Sequence, residues 1–146
     1  MVAEYELRYK KKPDNLTDLP IITSSEYAYN ILKPLYDLEL IADQEYVNVL
    51  YLNRANAVMG AHLVHIGGIN ACMVDVRIIM RSALLCGATG IIICHNHPTG
   101  SVKPSENDRR ITKQLKECGV ICDIKLLDHL IIGENTYYSF ADQGDL

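Results

Sequence analysis

The chain predicts an α/β fold: a single three-layer domain in which helices flank a mixed β-sheet. Three observations carry that prediction. Short apolar runs of strand character are interleaved with segments of helical period, the order that places helices against a sheet. The 146 residues suffice for one sizeable core and are too few for two ordinary domains. Gly90–Cys94 is a β-branched run with a glycine ahead of it and a histidine-rich turn behind, as expected of a buried strand.

The elements follow in order. Val2–Tyr9 alternates loosely and reads as an edge strand, and Lys10–Pro20 reads as a connector. Residues 1–22 are thus an N-terminal strand and connector, and 23–146 the domain proper. Thr23 and Glu26 have capping-box spacing and open a helix running to about Leu38, which Pro34 kinks or divides. Glu45–Leu52 is a strand, Asn53–Asn56 a turn, and Val58–Ile66 a second strand pairing with the first as a hairpin. Asp75–Leu85 is helical, with Gly87 suited to the residue just past its end. After the 90–94 strand, a helix runs from Ser105 to about Cys118 and is closed by Gly119. Short strands near 121–127, 129–132 and 136–140 finish the chain.

With 49% apolar and 22% charged residues, the composition is that of a soluble globular protein. The net charge of -4 argues against broad non-specific binding to nucleic acid. The basic run Arg8–Lys12 reads as a solvated strand end. Five cysteines make an odd set with no C-x-x-C pair. Without a secretory signal, this predicts a cytoplasmic protein with reduced thiols. No apolar stretch approaches the roughly 20 residues that span a membrane.

The chemistry concentrates in His95-Asn96-His97-Pro98, followed by Ser105 and Asp108. At the end of a strand, residues i and i+2 share a face, so His95 and His97 project together while Asn96 points away. Ser105 is a good N-cap and Asp108 lies in the first helical turn, where both can face back toward the histidines. Two neutral imidazoles and one carboxylate form a three-ligand zinc set that leaves a fourth position for water, the catalytic pattern. The plainer alternative is a well-capped strand-to-helix connection carrying two surface histidines. Glu45 opens an apolar strand, and on its own chemistry it marks only a turn into that strand. His129 is either a partner behind a metal ligand or a structural strand residue, and the structural role is preferred because nothing in the sequence places it beside the metal. His62 and His65, three apart on a strand, should point to opposite faces. Cys94 should point away from His95 into packing.

The stretch from Ser24 to Phe140 resembles the RadC-type branch of the JAMM (MPN/JAB) metalloprotein family. The resemblance is carried by Asp43-Gln44-Glu45-Tyr46-Val47-Asn48-Val49-Leu50, Gly68-Ile69-Asn70-Ala71, and His95-Asn96-His97-Pro98-Thr99-Gly100. It continues through Pro104-Ser105-Glu106-Asn107-Asp108 and Leu126-Leu127-Asp128-His129-Leu130-Ile131-Ile132-Gly133. It implies the JAMM/MPN, cytidine-deaminase-like fold, with Zn2+ held by His95, His97 and Asp108. It further implies Glu45 as the catalytic base and Ser105 as a donor to the oxyanion. The implied function is a zinc-dependent metallohydrolase that uses a metal-activated water to cleave an amide or isopeptide bond in a peptide or protein substrate. The alternatives are a non-catalytic interaction scaffold of the MPN type and a DNA-repair or mobile-element accessory protein. The branch usually carries an N-terminal helix-hairpin-helix region, which is expected to be absent here, so no strong DNA binding is expected from this chain alone. Where the branch shows a Pro-Arg-Glu run, this chain reads Val76-Arg77-Ile78, and only Arg77 matches. A zinc nucleoside deaminase is excluded, because the P-C-x-x-C ligand pair is missing.

Overall fold

The computed structural model describes residue 15 and residues 17–37, 41–67 and 74–146. The expected strand Val2–Tyr9, the basic run Arg8–Lys12 and Cys72 lie outside these residues. Helix α1 (Ser25–Leu32) is capped by Ser24 rather than Thr23: the Ser24 hydroxyl accepts from the Tyr27 N–H at 3.1 Å. The expected run to about Leu38 is cut short. Pro34 lacks an N–H and crowds the preceding turn, so the helix gives way to a 3-10 turn at Lys33–Leu35, and Tyr36 is extended.

Strands β1 (Glu45–Leu52) and β2 (Val58–Gly67) form the predicted antiparallel hairpin. Asn53 closes its turn by accepting from the Ala55 and Ala57 N–H groups at 2.9 and 3.1 Å. One expectation is corrected in β2. Val47 pairs with His65 but Asn48 pairs with Leu63, so Val64 is an extra residue. That bulge breaks the two-residue alternation and brings His62 and His65 onto the same face, opposite Val49 and Val47.

Helix α2 (Val76–Cys86) is capped by Asp75, whose carboxylate accepts from the Arg77 N–H, and ends at Gly87 in the left-handed region (φ 69°). Strand β3 (Gly90–Asn96) is buried throughout. Helix α3 (Glu106–Cys122) does not close at Gly119 as expected. It runs on and ends at Asp123, itself left-handed (φ 56°). Gly119 serves another need, because a Cβ there would lie 2.2 Å from the Ile124 carbonyl oxygen where the chain doubles back. The segments expected near 121–127 and 129–132 are one strand, β4 (Lys125–Ile132), with an extra residue at Leu127. Strand β5 (Tyr137–Ser139) completes the sheet.

The strand order is β2-β1-β3-β4-β5, with β3 and β4 parallel and all other pairs antiparallel, a mixed sheet as predicted. One face packs on α1 through Leu50, Leu52, Ile92, Cys94, Leu130 and Ile132. The other packs on α2 and α3 through Val47, Val49, Ile91 and Ile93. Three layers result. No helix among the described residues is long and apolar enough to cross a membrane.

Candidate metal centre

Strand alternation decides what surrounds His95. Cys94 and Asn96 turn to the α1 side, while His95 turns toward α3 and is buried. Cys94 packs in the core on the α1 side as expected, facing away from His95, and burial raises its thiol pKa far above the ordinary value. His97 lies just past the strand end. Its Nδ1 donates to the Ser101 carbonyl oxygen at 2.7 Å, so in the neutral ring Nε2 is the nitrogen left bare. Asp108 comes from the first turn of α3, held there by the Ser105 cap.

These three side chains converge, as predicted. His95 Nε2 and His97 Nε2 are 3.0 Å apart, His95 Nε2 is 3.1 Å from Asp108 Oδ1, and His97 Nε2 is 3.2 Å from Asp108 Oδ2. A tetrahedral ion with ligand bonds near 2.0–2.1 Å needs ligand atoms about 3.3 Å apart, and each of these three contacts, two of them to different oxygens of Asp108, is near that separation. Neutral nitrogen donors plus one carboxylate suit such an ion, and His95, His97 and Asp108 form a group able to hold one. A cavity of about 10 Å³, the room one water needs, lies between His95, Asp108, Glu45 and the apolar side chains of Val47, Val74 and Ile93.

Charge in the site is polarised. Burial opposes ionisation of Asp108, but its contacts with the His95 and His97 rings and with the Ser105 N–H outweigh it and hold the carboxyl well below the ordinary range. The same contact with Asp108 raises the pKa of His97. Glu45, at the start of β1, lies 3.9 Å from His95 Nε2. Burial raises its pKa, against the pull of the two histidines.

Ser105 is at the rim, with its hydroxyl engaged. Oγ donates to Asp108 Oδ2 at 2.7 Å and accepts from the Asp108 N–H at 3.2 Å, while the Ser105 N–H donates to Oδ2 at 2.7 Å. This is a complete capping box that also fixes the Asp108 carboxylate and leaves Oδ1 as its freer oxygen.

Two residues matter more here than their sequence context indicated. His129, for which the sequence favours a structural role, places Nε2 2.8 Å from His95 Nδ1, and burial lowers its pKa well below the ordinary value. Asn96, fully buried, donates to the Ile41 and Gln44 carbonyls and accepts from the Tyr46 N–H, each at 2.8 Å. It therefore grips the main chain on both sides of Glu45. The available signal was a polar residue inside a strand buried on both faces, where each polar atom requires a partner.

Residues 22–145 match the family model of the RadC-like JAB domain. A UPF0758 protein of Flavobacterium johnsoniae is 44% identical over 144 residues, covering 99% of this chain and 62% of that protein. A UPF0758 protein of Clostridium botulinum is 46% identical over 143 residues, covering 98% and 61%. One from Porphyromonas gingivalis is 36% identical over 146 residues, covering 99% and 63%. The chain spans about three-fifths of the length of these relatives.

Proposed function

The chain belongs to the RadC-like JAB domain family, and from that premise we propose that it is a zinc-dependent hydrolase cleaving an amide or isopeptide bond in a peptide or protein. The observation that carries this reading is the convergence of His95 Nε2, His97 Nε2 and the Asp108 carboxylate, with the Glu45 carboxylate 3.9 Å from His95. Zinc bound by these three ligands would supply a Lewis acid and a water acidic enough to ionise near neutral pH.

The remaining work falls to the chain. Glu45 borders the same cavity as His95 and Asp108, so its carboxylate takes the proton from the attacking water. Its raised pKa lets it hold that proton and then deliver it to the departing amine nitrogen. Asp108, fixed by the Ser105 cap, stays ionised and keeps its charge opposed to the imidazoles. Ser105 serves the developing oxyanion by rotating its hydroxyl proton off Asp108 Oδ2, while its bond from the Asp108 N–H holds the helix start.

Elemental analysis tests the site first. Wild type dialysed against trace zinc should carry one zinc per chain, and His97→Ala and Asp108→Ala should carry none. Glu45→Gln should keep the zinc and lose turnover on amide and isopeptide substrates. A folded wild type without zinc would overturn the hydrolase and leave an interaction scaffold. A zinc-loaded Glu45→Gln that still turned over would remove Glu45 as the base.

A further inference from the structure

We propose that His129, backed by Thr112, is the positioning residue that fixes both the tautomer and the tilt of the ligand His95. The inference rests on the metal site proposed above and concerns how that site is held ready.

For Nε2 of His95 to face a metal it must be bare, so the single proton of the neutral ring must sit on Nδ1. That Nδ1 is buried and needs an acceptor, and it meets His129 Nε2 at 2.8 Å. A neutral imidazole accepts at one nitrogen only when the other carries its proton. His129 must therefore be protonated at Nδ1, which lies 2.6 Å from Thr112 Oγ1. The Thr112 hydroxyl has one proton of its own, and it lies 2.7 Å from the Asp108 carbonyl oxygen. A carbonyl can only accept, so the direction of every bond is set from that end. Thr112 donates to Asp108, His129 donates to Thr112, and His95 donates to His129.

The contrast with His97 shows what this relay achieves. His97 Nδ1 is aligned directly by the Ser101 carbonyl. His95 is aligned through two intermediates, and the relay ends on the main chain of the third ligand, Asp108. The ring of one ligand and the backbone of another are thus joined inside the core. His95, His129 and Thr112 are all 3% exposed or less, so each polar atom in the relay depends on the next for its partner. Phe140 stacks on the His129 ring at 4.7 Å with an interplanar angle of 9°, fixing its tilt. A neutral ring directs the proton without adding a further charge beside Glu45 and Asp108, which a carboxylate in that place would do.

The test uses zinc itself as the probe, with affinity read by competition against a chromophoric chelator. Thr112→Val removes the hydroxyl at nearly constant volume and should weaken zinc about 10-fold, and His129→Phe about 10- to 100-fold. Thr112→Ser should restore wild-type affinity. Unfolding of the metal-free variants is measured alongside. A purely structural role would lower the unfolding midpoints and leave zinc affinity unchanged. Imidazole nitrogen NMR of the zinc-loaded protein should show His129 protonated at Nδ1. Unchanged zinc affinity in folded Thr112→Val, or His129 protonated at Nε2, would overturn the relay while the metal site stood. A wild type that takes up no zinc would overturn both.

Discussion

Replacing Asn96 with alanine separates the geometry of Glu45 from that of the metal ligands. The side chain makes three hydrogen bonds at 2.8 Å, to Ile41, Gln44 and Tyr46, in a fully buried position. At about 1 kcal/mol net for each bond, the truncation costs about 3 kcal/mol, and more if the Tyr46 N–H finds no new partner. For a domain of this size that is a fall of about 10 °C in Tm. Urea unfolding of the chelator-treated protein should show a lower midpoint at unchanged slope. Zinc content should stay at one per chain, because His95 and His97 leave the strand on the other side, while turnover falls as the chain around Glu45 loosens. Asn96→Asp keeps an acceptor for Tyr46 but loses both donors, so it should fare no better. A loss below about 1 kcal/mol, or loss of zinc at normal stability, would refute this reasoning.

Three further outcomes are expected. Gly119→Ala, which on helix propensity alone should stabilise α3, should instead cost about 1–3 kcal/mol because its Cβ meets the Ile124 carbonyl, and a neutral result in urea unfolding would refute the close approach. Ser105→Ala should cost about 1 kcal/mol through the lost cap, read in the metal-free protein. An additional fall in kcat at full zinc occupancy is expected only if the hydroxyl also serves the oxyanion. The metal-free protein should be most stable in mildly acidic solution. Asp108, with its pKa lowered from 3.8, contributes stability above that value and loses it as pH falls. His97, with its pKa raised from 6.5, contributes below that value and loses it as pH rises through its folded pKa. Unfolding at about pH 5.5 and about pH 8 should show the difference, and an Asp108→Asn variant with the same pH dependence as wild type would refute the pairing.

What was legible in the sequence was local. His95, His97 and Asp108 lie within one strand-loop-helix unit, so alternation and capping rules were enough to bring them together. The β1–β2 hairpin was legible because two apolar runs flank a turn rich in asparagine. The role of His129 was not, since its contact with His95 spans 34 residues and depends on how β3 and β4 align in parallel. His62 and His65 were assigned to opposite faces because a bulge at Val64 leaves no mark that residue type reveals. Gly119 looked like a helix stop, and the crowding that requires a glycine there comes from a strand that follows it. Pro34, by contrast, divided its helix as expected, because the cause is carried by the residue itself.

The extra residue at Leu127 divides β4 into two segments whose register is set independently. The first, up to Leu126, is fixed by the tight return from α3. The second, from Asp128 onward, is held by β5 and by the contact of His129 with His95. Asp128 faces one way, accepting from Ser139 and Ala141, and His129 faces the other, toward His95. Leu127 is the slack between them. Ile91 already pairs with Leu126 and Ile92 with Asp128, so removing Leu127 would leave a regular strand with every later side chain on its present face. A residue lost after Asp128 has no such slack, and would turn the strand's remaining side chains over. The loss of one residue at Leu127 is therefore absorbed before it reaches His129, whose contact with His95 keeps its place.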